Sequence, residues 1–242
     1  MNHFPFGYQN ATQDETNPHL AIVGQALWLD ASDASTLTDV GSGNISQIRD
    51  KSGNNNHANV SGLSYAVATP NVQNSKAVLR GGPSDGLYNL TNIALPNDFT
   101  VFAVVSRRVV TGTRMYIGTS TGDQKLGQVV SGTARHFTRI VQGGSSDSIL
   151  NFPFAQDVFG IIKISRDSSN KIDYATNNNA NQRLFADAAQ TGTFQISRVF
   201  NDNTGSATWD GDIAEIRVYD RLLSVAEQNI IIKNLNGNWA LY

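Results

Sequence analysis

The 242-residue chain contains no cysteine. This absence excludes a disulfide framework, a thiol nucleophile and a zinc site with cysteine ligands. Charged side chains are also scarce, at 16% of the residues against about 25% in an average soluble domain. Lys and Arg together number 18 and Asp and Glu 20, so the net charge is −2. A general nucleic-acid binder needs a strongly basic surface, and this balance excludes that class.

Long apolar runs are missing as well. The longest, Phe99 to Val105, is far shorter than the ~20 residues that cross a bilayer as a helix, so we expect no membrane insertion. Met1 to Asn10 has no basic start followed by about 7–15 apolar residues, so we expect no export by the Sec route. Asn is the commonest residue type, which predicts a polar but weakly charged surface with many turns.

Residues 1–20 differ from the rest of the chain, because Phe4, Phe6 and Tyr8 stand among polar residues without helical or strand periodicity. We predict an N-terminal arm here, followed by one domain over residues 21–242. A frayed chain end is one interpretation of this segment. The other is an assembly arm that docks on a neighbouring subunit, because aromatic side chains bury a large area at a small entropic cost.

From Ala26 onward, short apolar or alternating runs are separated by clusters of Gly, Asn, Ser, Asp and Pro. This spacing predicts an all-β fold, an antiparallel β-sandwich, and no long helical stretch intervenes that would favour a parallel sheet. The predicted strands are Ala26 to Asp30, Lys76 to Arg80, Phe99 to Ser106, Arg114 to Gly118, Gly127 to Val130, His136 to Gln142, Val158 to Ser165, Lys171 to Thr176, Thr193 to Phe200 and Asp212 to Tyr219.

Two of these strands have informative patterns. Phe99 to Ser106 carries apolar residues on both faces, which predicts a central strand that is covered on both sides. Asp212 to Tyr219 alternates, with Ala214, Ile216 and Val218 on one face. We therefore predict that the second strand is half buried.

One helix is marked near the C-terminus. Ser224 and Glu227 have the spacing of a capping box, in which each side chain binds the backbone N–H of the other residue, and Gly237 supplies a stop. One apolar stripe of this helix is predicted to pack on the domain, and it consists of Ile231, Leu235 and Trp239.

Three segments carry a resemblance to a known family: Leu27-Trp28-Leu29-Asp30, Asp50-Lys51-Ser52-Gly53-Asn54-Asn55-Asn56-His57-Ala58, and the closing run Gly211 to Arg221 with Leu223, Ser224 and Glu227. Over residues from about 26 to 242 the sequence resembles the laminin-G-like domains of the concanavalin A-like lectin/glucanase superfamily. The resemblance implies a jelly roll of two antiparallel sheets with the C-terminal helix. It also implies a role in binding glycans or proteins, and only sometimes in hydrolysis.

Catalysis is not expected from the sequence. Glycosidases of the resembled superfamily carry Glu-x-Asp-x-x-Glu on one strand face, and this pattern is absent. The nearest carboxylates are Asp210, Asp212 and Glu215, of which the last two point to opposite faces of a regular strand. The four histidines have no zinc-site spacing, and no Gly-x-Ser-x-Gly elbow or phosphate-binding glycine loop is present. We predict a protein that is not an enzyme and has no cofactor, with a structural calcium ion left open.

Oxygen ligands for calcium are abundant near predicted loops and strand ends: Asp30, Asp33, Asp50, Asp202, Asn203 and Asp210. Asp and Asn also cap turns by accepting hydrogen bonds from nearby backbone N–H groups, and this is the alternative for each of them. The spacing does not distinguish the two roles. The sequence therefore leaves the metal ligands unknown.

Glycan sites favour neutral side chains that both donate and accept hydrogen bonds. Asn177, Asn178 and Asn179, together with Arg135 and His136, are candidate ligand contacts of this kind. Runs of Asn are also typical of tight turns, which is the alternative interpretation of the first three.

Together these features predict a recognition or structural protein. The reading favoured from the sequence is a homo-oligomeric bacteriophage virion component, such as a receptor-binding, fibre or capsid-decorating subunit. It would lie on the virion surface and bind other virion proteins or a cell-surface glycan. The alternatives are a soluble carbohydrate-binding lectin domain, placed outside the cell by a route other than Sec, and a glycoside hydrolase or lyase with a nonstandard site.

Overall fold

The computed structural model describes residues 17–84, 86–109, 111–120, 124–131, 133–139, 147–149, 154–177, 191–202 and 207–242. The strands are β1 (Gln25–Asp30), β2 (Leu37–Asp39), β3 (Asn44–Ile48), β4 (Ala58–Val60), β5 (Ala66–Gln73), β6 (Lys76–Arg80), β7 (Tyr88–Leu95), β8 (Phe99–Arg107), β9 (Arg114–Gly118), β10 (Lys125–Ser131), β11 (Thr133–Arg139), β12 (Asp147–Ile149), β13 (Gly160–Arg166), β14 (Ile172–Thr176), β15 (Phe194–Val199) and β16 (Gly211–Tyr219). An α-helix, α1 (Val225–Trp239), follows β16.

These strands form one curled antiparallel sheet, in the order β12-β11-β10-β9-β15-β7-β4-β3-β5-β6-β16-β8-β13-β14, with β1 on β16 and β2 on β3. The curl brings the two ends of the sheet face to face, because the ring of His136 on β11 lies 5.2 Å from that of Tyr174 on β14. The main hydrophobic core lies between the facing halves. The predicted all-β jelly-roll sandwich with a C-terminal helix is confirmed.

The prediction for the central strand is also confirmed. All nine residues of β8 are buried between β13 and β16. Phe99, Val101, Ala103 and Val105 enter the main core. The opposite face enters a second hydrophobic cluster beneath α1, to which Phe102 and Val104 belong.

The closing strand β16 differs from its prediction in two ways. A bulge in its pairing with β8, between Ile213 and Glu215, shifts the alternation. Ala214 therefore lies in the cluster under α1, whereas Ile216 and Val218 lie in the main core. The strand is also buried along its whole length instead of half buried, because α1 covers the face that carries Glu215 and Arg217.

The capping box of α1 is confirmed: Ser224 Oγ accepts from the backbone N–H of Glu227, whose carboxylate accepts from the backbone N–H of Ser224. The predicted stop at Gly237 is wrong, because the helix continues to Trp239. Ala240 ends it in the left-handed region, at φ +48°, with its N–H donating to the carbonyl of Asn236. The predicted apolar stripe is buried, as Ile231, Leu235 and Trp239 are at most 1% exposed.

The predicted division at residue 20 stays a prediction. Residues 1–16, including Phe4, Phe6 and Tyr8, lie outside the described residues. The described part of the predicted arm begins at Asn17 and leads into a 3-10 turn, Pro18–Ala21, which contacts α1.

Candidate functional site

Three sequence segments that are far apart along the chain meet at a buried carboxylate. Glu215 accepts a hydrogen bond from Trp28 Nε1 at 2.8 Å and from Trp239 Nε1 at 2.7 Å. The same carboxylate pairs with the guanidinium of Arg217, which is 1% exposed. Arg217 also donates to Asn234 Oδ1 at 2.7 Å. One ion pair thus fastens β1, β16 and α1 together.

The loop after β3 is fastened to β1 by a second carboxylate. Asp50 accepts from the backbone N–H groups of Trp28, Ser52 and Asn56 at 2.9 to 3.0 Å, and from the hydroxyl of Ser52 at 2.8 Å. The next residue, Lys51, forms ion pairs with Asp30 and Asp33, both at 2.9 Å. The sequence segments that carry the family resemblance therefore build a scaffold beside α1.

A groove of about 440 Å³ lies between the 3-10 turn and the C-terminal half of α1. Its size falls within the range of about 300–1,000 Å³ that is typical of small-molecule sites. We call it the α1 groove, and it is lined by Asn17, Pro18, His19, Ile230, Lys233, Asn234, Gly237 and Asn238. Both walls rest on the Glu215 network, because Asn234 binds Arg217 and His19 packs edge-on against the Trp28 ring, with 6.1 Å between ring centroids.

The polar groups in the groove are mostly uncharged. Burial lowers the pKa of His19, and the nearby charges of Arg217 and Lys51 lower it further, so its imidazole is neutral at pH 7. Asn234 and Asn238 contribute amides, and Lys233 contributes an exposed ammonium group. The groove combines hydrogen-bonding groups with the apolar surfaces of Pro18 and Ile230. No pattern in the sequence predicts this groove.

The residues predicted to contact a ligand are not among those that line the α1 groove. The side chain of His136 is fully buried between the facing halves of the sheet, with Nε2 2.8 Å from the hydroxyl of Tyr116. Asn177 follows β14 at φ +50°, and its Oδ1 accepts from the backbone N–H of Ile161. Arg135 lies on β11 opposite Val129. The ring contact between His136 and Tyr174 thus brings the two predicted segments towards each other.

Asn178 and Asn179 lie outside the described residues, as do the side chain of Arg135 and any contacts that it makes. The role of these five residues in binding stays a prediction. In the described geometry Asn177 ties the end of β14 to β13, since its side chain and its backbone N–H both bind Ile161.

Burial lowers the pKa of His136 to about 3, from an ordinary value of 6.5. The unfolded chain therefore takes up a proton below pH 6.5 that the folded chain does not, so the stability falls as the pH falls towards 3. Between about pH 7 and about pH 5 we expect this histidine to cost about 2 kcal/mol of unfolding free energy. In His136→Gln the loss over that interval is smaller by this amount. Urea unfolding at the two pH values measures it, and equal losses in both proteins contradict the assignment.

Two of the three carboxylates considered for catalysis are held in ion pairs. Asp212 receives two hydrogen bonds from Arg80, at 2.7 and 2.9 Å, and Glu215 is engaged as described above. Of the oxygen ligands considered for calcium, Asp30 pairs with Lys51 and Asp202 with Lys125. Within the described residues, no group of three or more His, Asp or Glu side chains is arranged to hold a metal ion.

No helix in the described part of the chain is both long and apolar enough to cross a membrane.

Comparison with known proteins finds similarity in structure alone. No protein family and no curated protein matches the sequence. Among solved structures, Trypanosoma rangeli sialidase in complex with sialic acid matches with a TM-score of 0.57 and 13% identity, over 90% of this chain and 33% of the sialidase chain. This chain thus spans about a third of that enzyme.

Two further structures resemble this chain. Domain 4 of an extracellular GH43 arabinanase from Geobacillus stearothermophilus, in complex with arabinotriose, has a TM-score of 0.57 and 13% identity, over 87% of this chain and 97% of the domain. The binding domain of botulinum neurotoxin serotype D has a TM-score of 0.52 and 14% identity, over 88% of this chain and 51% of the other.

The prediction from the sequence that the protein is not an enzyme is wrong. The structures that share its fold include a sialidase and a domain of an arabinanase, both glycosidases, although at 13% identity. The physical reason is that the absence of Glu-x-Asp-x-x-Glu tests one arrangement of carboxylates only.

The laminin-G-like resemblance is supported at the level of the fold, since the matched domains are β-sandwiches and no family match accompanies them. At such low identity the likeness establishes architecture. The chain is therefore similar to jelly-roll domains found in carbohydrate-active enzymes and in a toxin's binding domain.

Proposed function

We propose that this chain is a glycan-binding domain and that the α1 groove is its binding site. The observation that carries the proposal is the groove of about 440 Å³ beside α1, which is lined by amide and imidazole groups together with Pro18 and Ile230. Sugars offer hydroxyl groups that donate and accept, and C–H faces that pack on apolar side chains. The lining of the groove is complementary to both.

The solved structures that share the fold support the choice of ligand class. The matched arabinanase domain was solved with arabinotriose, and this chain covers 97% of that domain. The match supports the carbohydrate-binding alternative better than the virion reading, to which the comparisons give no support. The virion surface, the homo-oligomer and the assembly role of Phe4, Phe6 and Tyr8 stay predictions.

A substitution at Gly237 tests this binding site directly. Gly237 lines the groove, and a Cβ atom built on it meets nothing within 4 Å. Gly237→Trp places a large side chain in the groove without straining the helix. We expect it to weaken binding by at least about 100-fold, because the volume that the sugar would occupy is filled. Gly237→Ala is the matched control: it leaves the groove open, and Ala is favoured over Gly inside a helix by about 1 kcal/mol.

Binding is measured by isothermal titration calorimetry with glycans selected on an array, after circular dichroism has established that both variants are folded. Loss of binding in Gly237→Trp, with binding kept in Gly237→Ala, supports the site. Unchanged binding in a folded Gly237→Trp overturns it. Release of reducing sugar, measured on the same glycans, distinguishes binding from hydrolysis.

A further inference from the structure

We propose that the α1 groove selects acidic glycans, whose carboxylate or sulfate group is bound by the Lys233 ammonium. This inference rests on the proposed function, and it names the ligand class for the same groove. It follows from the balance of hydrogen-bond donors and acceptors among the lining residues, once the ion pairs behind the groove wall and the capping of the C-terminal end of α1 are taken into account.

Donors outnumber acceptors among the side chains that line the groove. Asn234 already uses its Oδ1 to accept from Arg217, so it presents its Nδ2 donor to a ligand. Lys233 has three N–H donors and no acceptor, and it forms no ion pair with any described residue. None of the eight lining residues is acidic. An anionic ligand, which offers more acceptors than donors, matches this lining better than a neutral ligand.

The charges behind the wall are held in ion pairs. Lys51 and Arg217 each lie over the Trp28 ring, at 4.5 and 4.6 Å from its centroid, and His19 packs against the edge of that ring. Their carboxylate partners, Glu215 for Arg217 and Asp30 and Asp33 for Lys51, lie within ion-pair distance. Two cations thus face three carboxylates, so these ion pairs add no net positive charge. Among the eight lining residues, the positive charge comes from Lys233.

The C-terminal end of a helix carries partial negative charge, which by itself disfavours an anion. Here the last carbonyl groups already have donors. The side chain of Gln73 donates to the carbonyls of Trp239 and Ala240, and that of Asn74 donates to the carbonyl of Asn238. These amides satisfy the three carbonyls and offset part of the negative charge at the helix end.

The experiment compares matched glycans: neutral oligosaccharides, and the same backbones with a carboxylate or a sulfate group. Lys233→Gln removes the ammonium charge and keeps a polar side chain of similar length. Lys171→Gln, in the hairpin between β13 and β14, removes a charge elsewhere and is the control. Calorimetry of the three folded proteins, at low and at high salt, gives the affinities.

We expect the acidic glycans to bind the wild-type chain more tightly than their neutral counterparts, and this preference to shrink with salt. Lys233→Gln loses about 10- to 100-fold in affinity for the acidic member and little for the neutral one, since a charge-assisted hydrogen bond is lost. Lys171→Gln changes neither. Equal affinity for both members, or a preference that survives Lys233→Gln, overturns the inference while the proposed function stands. If no glycan of either kind binds, both fail.

Discussion

Replacing Glu215 by Ala is expected to lower the free energy of unfolding by about 3–5 kcal/mol, because removing one partner of a buried ion pair leaves the other charge uncompensated. Arg217 is 1% exposed, and after the change it keeps neutral partners such as Asn234 and the Trp28 ring but loses its carboxylate. The indole N–H groups of Trp28 and Trp239 also lose their acceptor. Urea unfolding followed by tryptophan fluorescence measures the effect.

The control for this variant is Glu227→Ala, which removes a carboxylate from a more exposed ion pair. Glu227 binds Arg221 and the N-cap of α1, and the hydrogen bond from Arg221 lowers its pKa to about 2. Losing this pair and half of the capping box costs about 1 kcal/mol. If Glu215→Ala destabilises the protein no more than Glu227→Ala, the Glu215 network does not hold the helix as described.

Asp50→Ala is the second substitution for which we expect a large loss, of about 3 kcal/mol, because each hydrogen bond to a charged acceptor contributes about 1.5–3 kcal/mol and the lost bonds are not independent. Four donors from the loop and from β1 converge on this carboxylate. Without it, the backbone N–H of Trp28 loses its described acceptor. Chemical unfolding measures the loss, and faster amide exchange is expected in residues 50–57.

Asp50→Asn separates the charge from the geometry. Its remaining carbonyl oxygen accepts from Trp28 and Ser52, whereas the new amide nitrogen cannot accept from Asn56. We expect a loss between that of Asp50→Ala and zero. A loss of less than about 1 kcal/mol in Asp50→Ala would show that the loop is held by other contacts, such as the donation of Asn56 Nδ2 to the carbonyl of Ala26.

Strands with dense apolar residues were predictable from the sequence, and those with diluted patterns were not. β8 carries apolar residues on both faces. Because side chains alternate between the two faces of a strand, this pattern predicts a central strand that is covered on each face by a hydrophobic cluster. β7 buries Tyr88, Leu90, Ile93 and Leu95, but a register shift in its pairing with β15 breaks the alternation. Polar residues occupy its remaining positions, and the pattern resembles a loop.

The ends of β16 and α1 illustrate how tertiary contacts override local rules. The bulge near Glu215 shifts the register of β16 against β8. No residue type at that position predicts a bulge. The glycine at position 237 is typical of a helix end, yet α1 continues past it. Trp239 is fully buried, and Gln73 donates to the carbonyl groups of Trp239 and Ala240. Packing gains exceed the small intrinsic cost of one glycine.

The groove could not be predicted, because its walls are separated by more than 200 residues in the sequence. Lys233 and Asn238 look like the solvated face of an amphipathic helix until the 3-10 turn is placed beside them. The sequence did indicate His136 as a polar residue of interest, but periodicity does not reveal that the curl of the sheet turns it inward against Tyr174. Its position depends on pairings between distant strands.

The measurement that tests the account most directly is chemical-shift mapping of the isotope-labelled chain while it is titrated with the tightest-binding glycan. The account predicts that the largest shifts fall on the α1 groove, at His19, Lys233 and Asn238. Shifts that concentrate around His136 and Asn177, with the groove unchanged, would contradict it.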